Sequence, residues 1–294
     1  MQMQRKGTAQ AASARGKFQG YKREKPEIVR AAKVTDSDIR KMYKAWERFI
    51  STLEEGDLGD QKAVYEKALP VARSLEYSAS DVEKFSIAFQ EFSGVSPLSG
   101  GGAITEIGLF LSALINTGKE KSYRIVTHNL GRYRAGLGYR NEKELTIIGP
   151  NAGFLGYGMC DGSITVYGDA DQPGVSMSGG KIRVEGNVIA AGNMMTGGII
   201  EIFGNVVGSV GSGMRGGEII IKGNLGALGE RIRGGKIIVE GTVDFPSYEI
   251  KGGEIHLHGG IGSKIIGVKD AYEVMRGRVT HGKVFYKGRL IVDK

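Results

Sequence analysis

Paired glycines recur through the second half of the chain at a fixed interval, and this register constrains the fold more than any other feature. Gly179-Gly180, Gly197-Gly198, Gly216-Gly217, Gly234-Gly235 and Gly252-Gly253 follow Asp161-Gly162 at steps of 18, 18, 19, 18 and 18 residues. A second glycine keeps step at Gly149, Gly168, Gly186, Gly204, Gly223, Gly241 and Gly259. A third stands at Gly156, Gly174, Gly192, Gly211 and Gly229, each followed three places later by Met159, Met177, Met195, Met214 and then Ile232. Between the first two markers lies a short alternating run, such as Ile182/Val184, Ile200/Ile202 and Ile237/Val239.

A unit this short cannot hold a strand, a helix and a return, and no stretch between the markers has helical spacing. It fits one coil of a mostly β, parallel β-helix with coils of 18–19 residues. Equivalent strands then stack ~4.8 Å apart and turn their Ile and Val inward. The glycines are expected at corners, either with positive φ or where backbones approach too closely for a Cβ. The methionine column, closed by Ile232, reads as an internal stack of core side chains. Asn187, Asn205 and Asn224 follow the corner glycines, where Asn tolerates left-handed backbone and can ladder from coil to coil.

Ahead of the repeat the pattern is helical. Ile39, Met42, Tyr43, Trp46, Phe49, Ile50 and Leu53 line one face of a helix that ends near Asp57 to Asp60. A second helix is predicted over Gln61 to Tyr77, kinked or split at Pro70. Ser80-Asp81-Val82-Glu83 reads as a capping box ahead of a third. After a loop from Gly94 to Gly102, a fourth, almost wholly apolar helix is predicted from Ala103 to Thr117, closed by Gly118 as a left-handed cap. Residues 36–118 are therefore expected to form a small α-helical domain and 119–294 the β-helix with a C-terminal extension.

Residues 1–35 carry nine Lys or Arg against Glu24 and Glu27, which accounts for nearly all of the net charge of +8. They read as a basic flexible tail, with a polyanion as a secondary contact. With 48 Gly but only 6 Pro in 294 residues, and 40% hydrophobic residues, the chain is neither collagen nor disordered. The single cysteine, Cys160, excludes an internal disulfide and points to a reducing, cytoplasmic setting. The longest apolar run, Ile104 to Ile115, is too short to span a bilayer, so no membrane association is expected.

Several motif-like strings dissolve into the repeat. Gly211-Ser212-Gly213-Met214-Arg215-Gly216 matches a dinucleotide fingerprint but has no βαβ unit around it. Gly277 to Lys283 matches a phosphate loop, yet Val284 stands where Ser or Thr is needed. Asp169 and Asp171 occur in a single coil, unlike the repeated aspartates of a calcium-binding β-roll. His256 and His258 share the outward side of a strand and read as solvated rather than metal-bound. No catalytic, cofactor-binding or metal-ligating residues are assigned, and the chain is expected to be non-catalytic on its own.

The segments Arg132-Tyr133-Arg134-Ala135-Gly136-Leu137-Gly138, Leu145-Thr146-Ile147-Ile148-Gly149-Pro150-Asn151-Ala152-Gly153 and Gly208-Ser209-Val210-Gly211-Ser212-Gly213-Met214-Arg215-Gly216-Gly217 resemble the GXGXG β-helix family. That family includes the C-terminal domain of the glutamate synthase large subunit, its stand-alone archaeal form and one of the subunits of formylmethanofuran dehydrogenase. The resemblance covers about residues 122–262 and implies a right-handed β-helix that supports catalytic domains or subunits. It further implies that no cofactor is bound by this chain, and that partner subunits carry the flavin, iron–sulfur or molybdenum/tungsten cofactor. The expected role is a non-catalytic scaffold subunit of such an oxidoreductase. The alternative is a stand-alone interaction or self-assembling scaffold with a basic tail.

Overall fold

The structure, a computed structural model, describes residues 37–57, 59–92, 106–128, 136–150, 153–246, 249–262 and 267–294. The basic tail over 1–35 and the Gly94 to Gly102 loop lie outside the described residues. Residues from Asp36 to Lys294 form one compact unit.

Helix α1 (Ser37–Ile50) buries Ile39, Met42, Trp46 and Phe49, the face that its apolar spacing marks out. Asp60 caps α2 (Gln61–Arg73) by accepting the backbone N–H groups of Lys62 and Ala63. This helix passes through Pro70 without a split and stops at Arg73, earlier than the spacing predicts. Proline is tolerated because it sits in the last turn, where one lost N–H costs little continuity. Helix α3 (Ala79–Phe92) also corrects its predicted start: the capping box is Ser78 and Asp81, two residues before the Ser80/Glu83 pair. The Asp81 carboxylate accepts Ser78 N–H at 2.9 Å, and Ser78 Oγ accepts Asp81 N–H at 3.3 Å. Glu83 is thereby left to pair with Arg124 at 2.9 Å, tying α3 to the first strand.

Helix α4 (Glu106–Thr117) is buried at every position from Glu106 to Ile115. A helix that is apolar all round must be covered all round, and here the helices cover one side and the start of the solenoid the other. Phe110 stacks on Phe49 at 5.4 Å between ring centroids, while Ser112 Oγ donates to Gly136 O. Asn116 Nδ2 donates to Tyr139 O. Gly118 is not in the left-handed region; it is glycine because a Cβ would run into the Tyr123 hydroxyl.

Burial raises the pKa of Glu106 above its ordinary 4.5. A carboxyl with a raised folded-state pKa favours folding fully below its ordinary value, and loses that contribution as pH rises through the raised one. Glu106→Gln is therefore expected to melt above the wild type at pH 7, with the gain shrinking toward pH 4. Equal melting temperatures at pH 7 would contradict this.

The remaining chain forms a parallel β-solenoid. Its main sheet is ten-stranded: β1 (Ser122–Val126), β2 (Glu144–Ile148), β3 (Ser163–Tyr167), β4 (Lys181–Val184), β5 (Ile199–Ile202), β7 (Arg215–Ile221), β9 (Ile232–Val239), β11 (Ile250–Leu257), β12 (Lys283–Tyr286) and β13 (Arg289–Asp293). All neighbours pair in parallel except β12 and β13, which are antiparallel. Ile164, Ile182, Ile200, Ile219, Ile237 and Ile255 lie in register and are fully buried. A second sheet contains β6 (Val206–Val210), β8 (Leu225–Leu228) and β10 (Val243–Phe245). Its inward column extends through isolated bridges to Ala170, Val188 and Ile261.

The register continues beyond the regular repeat at both ends. Tyr123 pairs with Leu145 and Ile255 with Val284, across intervals of 22 and 29 residues. The longer interval contains α5 (Val268–Arg276), whose Ala271 and Met275 are buried. No described helix is long and apolar enough to cross a membrane.

Candidate functional site

The columns marked by the sequence divide into distinct chemical roles. Met159, Met177, Met195, Met214 and Ile232 are fully buried. Ile250 and Val279 extend the column, linked by the Ile232–Ile250 pairing and the Ile250–Val279 bridge. Methionine and glycine repeat together for a steric reason. A Cβ on Gly198 would lie 2.6 Å from Met177 Cε, and one on Gly217 would lie 2.6 Å from Met195 Cε. Gly180, Gly198, Gly217, Gly235 and Gly253 also take φ between +77° and +87°, and Gly149 takes φ +107°.

Gly168, Gly186, Gly204, Gly223 and Gly241 do not take positive φ. They are glycine because the backbone of the preceding coil leaves no room; a Cβ on Gly223 would also lie 2.6 Å from Asn205 Oδ1. That space holds a hydrogen-bond ladder. Asp169 Oδ1 accepts Asn187 N–H at 2.7 Å, Asn187 Oδ1 accepts Asn205 N–H, Asn205 Oδ1 accepts Asn224 N–H, and Asn224 Oδ1 accepts Thr242 N–H. None of these asparagines is left-handed. The left-handed non-glycine positions in the coils are Arg140, Ser176, Met194 and Arg231, with Gly158 and Gly213 in the same column. In the coils of Gly158, Ser176, Met194 and Gly213 a methionine N–H returns to the third glycine's carbonyl, as from Met177 to Gly174, and this turn requires φ > 0 at its third residue.

Residues assigned no chemistry from the sequence remain apart from one another. His256 stacks on Phe285 at 4.4 Å and meets Glu254 at 3.3 Å, while His258 is exposed. Cys160 is an exposed free thiol. Among the described residues no three His, Cys, Asp or Glu side chains converge as a metal site needs. An open groove at the corner of the first coils is lined by Lys121, Glu142, Lys143, Glu144, Asp161 and Gly162.

The sites that stand out are two outer faces. On the second sheet and the coil before it, Ile189, Val207 and Phe245 are 56%, 75% and 67% exposed. Ile189 and Val207 lie in adjacent coils, where Gly208 N–H donates to Ile189 O, and Phe245 lies two coils beyond Val207, paired with Ala227 of β8. On the main sheet, charges ladder between coils. Lys181 pairs with Glu201 at 2.9 Å, Lys236 with Glu218 at 3.5 Å and Lys222 with Glu240. Arg183 lies 3.9 Å over the Phe203 ring. These pairs were present in the sequence as 18- to 20-residue offsets between opposite charges, a signal visible only after the coil register is known.

The molecule is thus a helix-capped parallel β-solenoid with laddered outer faces. No protein-family model matches the chain, and neither a curated protein nor a solved structure matches it.

Proposed function

We propose that this chain is a non-catalytic β-solenoid subunit of an oxidoreductase assembly, of the glutamate synthase or formylmethanofuran dehydrogenase type. The motif resemblance to the GXGXG β-helix family supplies the assembly class. The observation that carries a docking role is the trio Ile189, Val207 and Phe245, exposed on the second sheet and the coil before it. Large apolar side chains gathered on one face mark a protein contact more often than isolated ones do. In this reading a catalytic subunit holding flavin, iron–sulfur or molybdenum/tungsten covers that face, and the solenoid sets its position.

The test is purification of the tagged chain from its native source. A cofactor-bearing subunit is expected in stoichiometric amount, and Val207→Asp with Phe245→Asp is expected to release it while leaving the melting temperature within a few degrees. Isolation without any stoichiometric cofactor-bearing subunit would overturn the reading. A second reading, a scaffold assembled from copies of this chain, is favoured by the outer face of the main sheet.

A further inference from the structure

Along the outer face of β7 stand Glu218 and Ile220, with Lys222 just past its end, and along β9 stand Lys236 and Ile238, with Glu240 just past its end. The inward Ile219, Ile221, Ile237 and Val239 between them are fully buried. Glu218 is in register with Lys236 and Ile220 with Ile238. The charges therefore run minus over plus on one edge of the stripe and plus over minus on the other, with isoleucines between. Each ion pair is half-exposed: Glu218 and Lys236 at 31% and 40%, Lys222 and Glu240 at 40% and 46%.

This pattern is complementary to itself. From it we infer that the main-sheet face binds a second copy of this chain across a twofold axis parallel to the strands and midway between β7 and β9. Such a rotation keeps position along the strand and exchanges β7 with β9. Glu218 then faces the partner copy's Lys236, Ile220 faces its Ile238, and Lys222 faces its Glu240, each contact occurring twice as an isologous interface requires. At the outer edges β4 meets the partner copy's β12, so that Glu185 faces its Lys287 and Arg183 its Phe285. Lys181 there faces the partner copy's Lys283, a like-charged contact tempered by the Glu201 carboxylate that Lys181 already holds. Neighbouring registers carry like-charged contacts. Moving the axis onto β9 sets Glu218 against Glu254, and moving it between β9 and β11 sets Lys222 against Lys287, although there Lys236 meets Glu254 and Glu218 meets Lys283. Of these alignments, only the one centred between β7 and β9 opposes each of Glu218, Lys222, Lys236 and Glu240 with its opposite charge.

The size of the face sets the strength. The six strands from β4 to β12 at ~4.8 Å and about five residues per strand at ~3.3 Å give a flat footprint of roughly 475 Å² per copy. That is below the ~800 Å² per partner of a standard interface, so the dimer is expected to be concentration-dependent and weakened by salt. The inference is independent of which complex the chain joins, because the Ile189, Val207 and Phe245 face is left uncovered.

Sedimentation equilibrium on the full chain at low salt, up to about 200 µM, tests it. The wild type is expected to show a monomer–dimer equilibrium. Glu218→Lys alone and Lys236→Glu alone are each expected to weaken it at least about tenfold, because every cross-copy pair between these positions becomes like-charged. An equimolar mixture of the two variants restores opposite pairing and should recover the dimer. Lys222→Glu and Glu240→Lys repeat the swap independently, with circular dichroism melts confirming that each variant folds. A wild type that stays monomeric throughout, single variants that dimerise as the wild type does, or a mixture that fails to recover would each overturn the inference. None of these outcomes depends on a cofactor-bearing partner.

Discussion

Gly217→Val is expected to lower stability by about 3 kcal/mol or more. Three costs coincide at this position. The backbone sits at φ +87°, where a β-branched residue is strained by roughly 1–2 kcal/mol or more. The added Cβ would lie 2.8 Å from Gly198 O and 2.9 Å from Gly197 C, backbone atoms of the preceding coil that cannot move without disturbing the stack. It would also displace Met195 Cε, only 2.6 Å away. Gly198→Val meets the same obstacles one coil earlier. Lys181→Ala serves as the control, since it removes only an exposed partner of Glu201 and should cost no more than ~0.5 kcal/mol. Urea unfolding of the three variants measures the contrast, and similar midpoints would show that the glycine column is not under steric constraint.

Adjacent methionines should behave in opposite ways. Met195 is fully buried in the column, so Met195→Ala is expected to cost about 2–5 kcal/mol through lost burial and the cavity left between coils. Met194 is 57% exposed and takes φ +57°, a conformation that its side chain does nothing to favour. Met194→Gly relieves roughly 1–2 kcal/mol of left-handed strain against about 0.5–1 kcal/mol of added unfolded-state entropy. It should leave stability unchanged or raise it by up to about 1.5 kcal/mol. Thermal melts of the two single variants suffice. Destabilisation of Met194→Gly comparable to that of Met195→Ala would mean that the exposed turn is held by contacts of its own.

The solenoid was legible because its cause is periodic. The second glycine of each pair meets a carbonyl of the preceding pair and the first meets the carbonyl just before that pair, so the same steric demand returns every coil and leaves the same residue behind. Where the demand is met by a different partner, the pattern misleads. Gly118 follows the helix stop and resembles a left-handed cap, but it is set by Tyr123. Ser80 resembles a cap, but Ser78 lies where its hydroxyl reaches Asp81 N–H. The outer coils were hidden because Tyr123 and Val284 join the register across longer intervals. The outer-face chemistry was harder still. Glu218 and Lys236 are distant in sequence and become neighbours only through pairing, and nothing in their local context distinguishes them from solvated charges.

The insertion of α5 between β11 and β12 carries a wider consequence. Val284 stacks on Ile255 and Gly282 approaches Gly253 O as closely as in any ordinary coil, although the interval is 29 residues. What each coil must conserve is its columns, while the length of chain between them is free at the corners. Dimensions along the axis are therefore counted in whole coils. A solenoid of this kind can act as a ruler that lengthens or shortens in steps of ~4.8 Å by duplication or loss of one unit, while surface decorations are added without altering the distance it measures.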